Sequence, residues 1–479
     1  MRSLHAGAML TSVADMEATA DWGKLYLVLA ALCLCYIGKY FCTADLCVVQ
    51  VRFTELDIVT TEQLSFLYAV GYFASMFGKV AAGMLCTFFG GRCVMIIAAA
   101  GYVAATLLFS MVPERASYAY AAFVALWACV GFFALGLASV ALVSTATDWI
   151  PAAYSGRLMG IVSMAPQLGD AAARLCLAPF LDLGWHVVFR MSTVVACTVT
   201  LPVAFCVSSG PASVGPVGER SLSRKLIATP RSSPSQYCTG LRSLFAQPFF
   251  WILCFLSGTL YGTRVLFLLF STNYLSMTYC REATDTKACL LDPHTMSMSA
   301  AASSAYTMLG CVSVLLVGTL KDNFPRQHRG ATLTLFVAPL FATLMFLSVL
   351  GPDLPFTTAA SAVAFVGFCL FGPLKILGAV FAVDVGGKEL KSTCTAFIGV
   401  FDNLFGILML IGQGCVRGDW GKIFGTLAVL SCFSLVCSSS IWLSDFHAHR
   451  RVVALSPSAS QPLLVEPVEH AQQMQPKLA

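Results

Sequence analysis

The sequence predicts an all-α membrane protein of twelve transmembrane helices, arranged as two pseudo-symmetric six-helix bundles. Three observations lead there. Of 479 residues, 58% are hydrophobic and only 11% are charged, less than half the share of about 25% that a soluble domain carries. The apolar residues fall into roughly twelve runs of about twenty or more, and each run is long enough to cross a hydrocarbon core of about 30 Å as a helix. Between the sixth and seventh runs, residues 208–247 turn rich in Pro, Ser, Gly, Arg and Lys, the composition of a flexible linker.

In chain order, the first half reads as spans Lys24–Val49, Gln63–Cys86, Arg92–Val112, Ser117–Ala146, Tyr154–Leu181 and His186–Val207. Arg52 closes the first run, the Gly90–Arg92 turn separates the second from the third, and Arg115 and Arg157 mark the next two breaks. The second half repeats the count with Phe249–Leu275, Thr295–Leu320, Ala331–Leu350, Phe356–Val385, Thr393–Val416 and Ile423–Leu443. The organisation is then a polar N-terminal tail (1–23), a bundle (24–207), a basic linker (208–247), a second bundle (248–443) and a C-terminal tail (444–479) expected to be disordered. The N-terminal tail lacks the apolar core and cleavage pattern of a signal peptide, so the first helix serves as the insertion signal.

Orientation follows from where Lys and Arg fall in the connections. Arg92, Arg157, Arg220, Arg224, Lys225, Arg231, Arg242, Lys321, Arg326, Arg329, Lys388 and Lys391 lie in even-numbered connections, and Arg450 and Arg451 in the tail. Odd-numbered connections hold only Arg52, Arg115, Arg281, Lys287, Arg417 and Lys422, which puts both termini and the linker in the cytoplasm. Most of the twenty cysteines, among them Cys33, Cys35, Cys42, Cys47, Cys369 and Cys394, sit inside apolar runs as small packing residues. Cys280 and Cys289 are different. They occupy the polar loop YCREATDTKAC on the opposite side and are a disulfide candidate, provided that side is oxidising.

Isolated charges inside the spans carry the functional reading. Lys39, Lys79, Asp170, Arg174, Arg264, Lys375 and Asp402 all lie within apolar runs. A charge at the bilayer centre costs about 2.5 to 3.5 kcal/mol even on the gentlest insertion scale, so retained ones point to a polar pathway through the bundle. Arg174 stands four residues after Asp170, close enough for a local ion pair. Lys375 follows a Gly-Pro pair that bends its helix. Asp45, Asp170 and Asp402 offer carboxylates for a proton or a cationic group. No phosphate-binding nucleotide loop, no metal-ligand spacing among the seven His residues and no Ser/His/Asp grouping is visible, so neither an enzyme nor a cofactor is expected. The net charge of +5 is too small to argue for nucleic acid.

Short strings in both halves carry a resemblance: GKVAAG (Gly78 to Gly83), GWHVVFRM (Gly184 to Met191), FSTNYL (Phe270 to Leu275), RGAT (Arg329 to Thr332), FGPLKILG (Phe371 to Gly378) and STCTAFIGVFDNLFG (Ser392 to Gly406). They are similar to the organophosphate:phosphate antiporter branch of the major facilitator superfamily. GTLKDNF, with Gly318 and Asp322, likewise resembles that superfamily's Gly-x-x-x-Asp loop, in which the carboxylate latches one end of the molecule shut; the first-half counterpart keeps Gly83, Gly90 and Arg92 but has Thr87 in place of the acid. The resemblance implies an anion clamp of two arginines, one on helix 1 and one on helix 7. Arg264 matches the second; Thr43 stands where the first is expected, and Lys79 matches a helix 2 lysine. Lys39, one turn before Thr43 on the same face, or Arg174 would supply the missing charge.

The expected function is therefore a secondary transporter working as a monomeric unit in the lipid bilayer. Its solute would be a small organic anion, a sugar phosphate or glycerol phosphate exchanged for inorganic phosphate by alternating access. Arg264, Lys79, Lys39, Arg174 and Lys375 are the substrate-binding candidates; Asp170, Asp402, Asp322, Gly318 and Gly83 are the coupling or gating candidates. Two alternatives stand beside it: a proton-coupled carrier of a neutral or cationic metabolite, and a non-transporting receptor or scaffold on the same fold.

Overall fold

The computed structural model describes residues 22–56, 58–114, 116–151, 154–207, 234–282, 289, 293–325, 328–413 and 420–455. Its first half contains α1 (Trp22–Glu55), α2 (Thr61–Phe89), α3 (Gly91–Phe109), α4 (Ala119–Trp149), α5 (Ser155–Leu177) and α6 (Trp185–Cys206). Its second half contains α7 (Pro248–Tyr279), α8 (Pro293–Asn323), α9 (Ala331–Leu350), α10 (Phe356–Gly387), α11 (Leu390–Ile411) and α12 (Trp420–Leu455). Ten of these helices are long and apolar enough by length and composition alone to cross a membrane. The remaining two are α5 and α6, of 23 and 22 residues, which pack into the same bundle. The outer surface suits lipid: Phe73, Phe77, Ile97, Val349, Val429 and Val436 are all exposed, an apolar patchwork that water would not tolerate.

Local rules place the helix ends. Thr60 and Gln63 form a reciprocal capping box that starts α2. Gly90, at φ 83°, turns the chain sharply from α2 into α3, and Gly387, at φ 60°, breaks α10 from α11 where the helix would otherwise run on.

The two halves repeat one packing plan. Helix α1 packs on α5 and α6 as α7 packs on α11 and α12; α2 packs on α4 as α8 packs on α10; α3 packs on α6 as α9 packs on α12. Glycines permit the closest of these approaches. A Cβ on Gly131 of α4 would lie 2.3 Å from the Gly71 carbonyl oxygen of α2, and one on Gly367 of α10 would lie 2.1 Å from the Tyr306 carbonyl oxygen of α8. Corresponding helices also share an irregularity. Gly131–Ala138 in α4 and Leu377–Phe381 in α10 are π-helical, and such turns concentrate at functional sites because each shifts the register of the residues that follow.

Two seams join the halves, α2 against α11 and α5 against α8. At one end of the molecule both are shut. The Asp322 carboxylate accepts the backbone N–H groups of Gly156 and Arg157, each at 2.8 Å, at the N-terminus of α5, where helix geometry leaves such donors unsatisfied. Gly156 and Gly318 abut there, and a Cβ on Gly318 would sit 2.3 Å from the Gly156 carbonyl oxygen. At the other seam Thr87 cannot play the same part, because its hydroxyl donates to Gly83 O within its own helix at 2.9 Å. The α2–α11 seam closes by different means. Lys391 of α11 pairs with Asp148 of α4, the Ser144 and Ser392 hydroxyls meet at 2.8 Å, and Thr393 donates to Gly83 O at 3.4 Å.

Two expected boundaries move. The linker is helical over its last part, Pro234–Phe245, which lies on this closed end. There Tyr237 packs at a tilt against Phe88 of α2 (5.5 Å between ring centres) and meets the Thr393 hydroxyl of α11 at 3.1 Å. Helix α12 continues to Leu455, beyond the expected start of the tail, because the Asp445 carboxylate accepts the Gly330 N–H at 3.1 Å and Phe446 packs on His328. The basic linker residues Arg220, Arg224, Lys225 and Arg231, the N-terminal tail before Trp22 and the tail after Leu455 lie outside the described residues.

Asp322→Ala removes the acceptor of two backbone donors, and Gly318→Ala forces the α5–α8 seam apart. Either substitution is expected to shift the distance distribution between spin labels on the latched ends of α5 and α8 toward longer separations, by about tenfold in the open-to-closed ratio for Asp322→Ala. Distributions identical to the parent would refute the latch.

Candidate functional site: a cationic cavity between the two halves

Helix periodicity brings the site together. On α1, Tyr36, Lys39 and Tyr40 recur at spacings of three and four; on α11, Thr395, Ile398, Gly399, Asp402 and Asn403 follow the same rule over two turns, so each set shares one face. Those faces, with Tyr72 and Lys79 of α2, Ser139 of α4, Pro166 of α5, Tyr261 and Arg264 of α7 and Lys375 of α10, line a cavity between the halves. It bounds about 960 Å³ of empty space, including its mouth and the solvent beyond it. Both π-helical segments reach it, through Leu135 of α4 and Gly378 and Ala379 of α10.

Four cations and one acid line this cavity. Lys39, 2% exposed, donates to the Ser139 hydroxyl at 2.8 Å, with the Tyr36 and Tyr40 rings 4.9 and 5.0 Å from its ammonium. Lys79 crosses between the halves, donating to Gly399 O at 2.6 Å and to Asn403 Oδ1 at 2.9 Å. The Asn403 amide returns the contact by donating to Ser75 Oγ and, at 3.3 Å, to Tyr72 O of α2. Arg264 lies 5.5 Å from both the Tyr261 and Phe371 ring centres, and its Nε is buried with no hydrogen-bond partner. Lys375 has no hydrogen-bond or ion-pair partner among the described residues. Asp402 accepts the Ser257 hydroxyl on Oδ1 at 2.6 Å. None of the four cations forms an ion pair with a carboxylate among the described residues.

Between low-dielectric walls these charges act on one another and on a ligand far more strongly than in water. The cavity therefore holds a net positive potential, with the Arg264 Nε and the Lys375 ammonium left without a protein acceptor among the described residues. Forked Arg donors suit phosphate and carboxylate oxygens.

The other sequence candidates fall elsewhere. Arg174 and Asp170 form the local pair that their spacing allows, at 3.0 and 3.3 Å on α5, and do not line the cavity, which separates Arg174 as a binding candidate from the other cations. Each neutralises the other one helical turn away. Gly83, Gly318 and Asp322 belong to the closed end described above. Thr43, donating to Tyr40 O at 3.3 Å, does not reach the cavity, whereas Lys39 does. Asp45 is buried against the Ser192 hydroxyl (3.3 Å) inside the first half, away from the site. Cys280 and Cys289 are joined as a disulfide, 5.7 Å between Cα atoms. Sequence reasoning missed Ser139, Ser257 and the Asp148–Lys391 clasp. The three-and-four spacing along α11 was the one available signal, and it marks Asp402 and Asn403 as sharing a face with Gly399.

Comparison with known proteins agrees with this architecture. The Major Facilitator Superfamily pattern matches residues 25–410. A glycerol-3-phosphate transporter of Bacillus subtilis (strain 168) is 22% identical over 62% of this chain and 66% of its own length. A probable hexose phosphate transport protein of Chlamydia trachomatis is 23% identical over 40% of this chain and 38% of its own; the chain thus aligns with less than two thirds of either relative. Among solved structures, the proton:xylose symporter XylE superposes with a TM-score of 0.68 at 14% identity, covering 88% of this chain and 96% of that one. The Escherichia coli fucose:proton symporter FucP gives 0.62 at 11%, covering 86% and 97%. With two matching six-helix halves among the described residues, a cavity between them and a pattern match over most of its length, this chain belongs to the Major Facilitator Superfamily.

Proposed function

We propose that the protein is a secondary transporter of a small phosphorylated organic anion, a sugar phosphate or glycerol phosphate, exchanged for inorganic phosphate. The observation that carries this reading is the cavity's charge: four cations against one carboxylate, with the Arg264 Nε unpartnered. The names of the two relatives, a glycerol-3-phosphate transporter and a hexose phosphate transport protein, support the same solute class. Arg264 is the main phosphoryl ligand, Lys375 the second, and Lys39 and Lys79 add to the potential from positions already tied to the protein. A bound dianion offsets the repulsion among these charges, which lowers the cost of moving the loaded site. The motion is alternating access: the two bundles rock about the cavity, and the Asp322 and Asp148–Lys391 clasps open as the far end closes. The basic connections make the latched end cytoplasmic, with both termini and the linker on that side, and one chain forms the transport unit.

The decisive assay loads liposomes containing the full chain with labelled phosphate and adds solutes outside. External sugar phosphate or glycerol phosphate is expected to drive label out with little dependence on pH. Acid-stimulated uptake that ignores phosphate would instead establish proton coupling through Asp402. Arg264→Leu is expected to lower exchange at least tenfold and Arg264→Lys less, since Lys keeps the charge but not the fork. Lys375→Met is expected to raise the KM for phosphate about tenfold, the loss of one charge-assisted hydrogen bond. Unchanged exchange in a folded Arg264→Leu protein contradicts the reading.

A further inference from the structure

The cavity's polar atoms divide into those already used and those left over. Lys39 makes one hydrogen bond, to Ser139, and Lys79 makes two, to Gly399 and Asn403. Without any partner are Arg264 Nε, the Lys375 ammonium and one carboxylate oxygen: Asp402 Oδ1 takes the Ser257 hydroxyl, while its Oδ2 has no hydrogen-bond partner among the described residues. A carboxylate eases the repulsion among the four cations, yet it also repels phosphoryl oxygens and weakens the potential they meet, so anion binding alone does not account for a free oxygen held there. Ser257, reaching across from α7, fixes the orientation of this group on α11, so its free oxygen points from a held position rather than a mobile one.

Resting on the organophosphate reading above, we propose that Asp402 is a specificity-determining residue: its Oδ2 accepts a hydrogen bond from a hydroxyl of the solute's organic part while Arg264 and Lys375 hold the phosphoryl group. The site is bipolar. A ligand must present anionic oxygens at one end and a neutral hydroxyl donor at the other. A hydroxyl-free phosphate ester leaves the carboxylate desolvated and unpaired, and a site made to hydrogen-bond a hydroxyl rejects analogues that lack it.

The test uses competition against labelled phosphate uptake in liposomes carrying the full chain, with glycerol 3-phosphate, propyl phosphate and ethanolamine phosphate as competitors. Glycerol 3-phosphate is expected to compete about tenfold better than propyl phosphate in the parent, and Asp402→Asn is expected to bring that ratio down to about two. Ser257→Ala, which keeps the charge but releases its orientation, is expected to lower the ratio to an intermediate value. It also serves as the second variant should Asp402→Asn fail a thermal-unfolding check in detergent. A ratio unaltered by both substitutions overturns the proposal, and so does stronger competition by ethanolamine phosphate, which would make the partner an ammonium. A parent protein whose phosphate uptake no phosphate ester inhibits would defeat the organophosphate reading itself, a result separable from any ratio.

Discussion

Positive charge held in excess of counter-charge in a low-dielectric hollow is the constraint on which the rest of the structure depends. Four cationic side chains face one cavity, and no carboxylate pairs with any of them among the described residues. Each would be expelled to the interface if its surroundings allowed it. The fold retains them by giving them something other than water: Ser139 and two tyrosine rings for Lys39, a carbonyl and an amide oxygen for Lys79, aromatic faces for Arg264. These substitutes lessen the cost of burial without cancelling the charge. That distinguishes the cavity from the Asp170–Arg174 pair, where each charge on the more exposed α5 face has its counter-charge one turn away.

The shared packing plan explains how such a site stays centred. Equivalent helices in each half approach through glycines and each carries a π-helical turn, so the cavity is lined by parts related by the same internal repeat. The closing devices do not obey the repeat. One seam relies on a carboxylate bound to a helix N-terminus, the other on a salt bridge and paired hydroxyls. Thr87, turned back into its own helix, is the local reason for the difference.

Much of this was legible in the chain. Apolar run length gave the spans, because lipid allows few other backbone solutions, and isolated charges inside those runs marked Lys39, Lys79, Arg264, Lys375 and Asp402. Arg174 misled because a charge in a span is equally explained by a partner one turn away, and only geometry separates the two. Ser139 and Ser257 carried no signal, since hydroxyls are common in such helices and usually bond to their own backbone. The helical end of the linker was hidden by Pro and Ser that read as flexible; Pro234 stands at its first turn, where proline suits a helix start.

Lys79 belongs to two systems at once. Its ammonium is part of the cavity's field, yet both of its hydrogen bonds end on the opposite bundle, at Gly399 and Asn403. Any rotation that draws α2 from α11 therefore strips that ammonium of its acceptors and delivers a bare proton donor into the hollow. The charge that faces the hollow and the contact that ties its two walls together are thus carried by one and the same group.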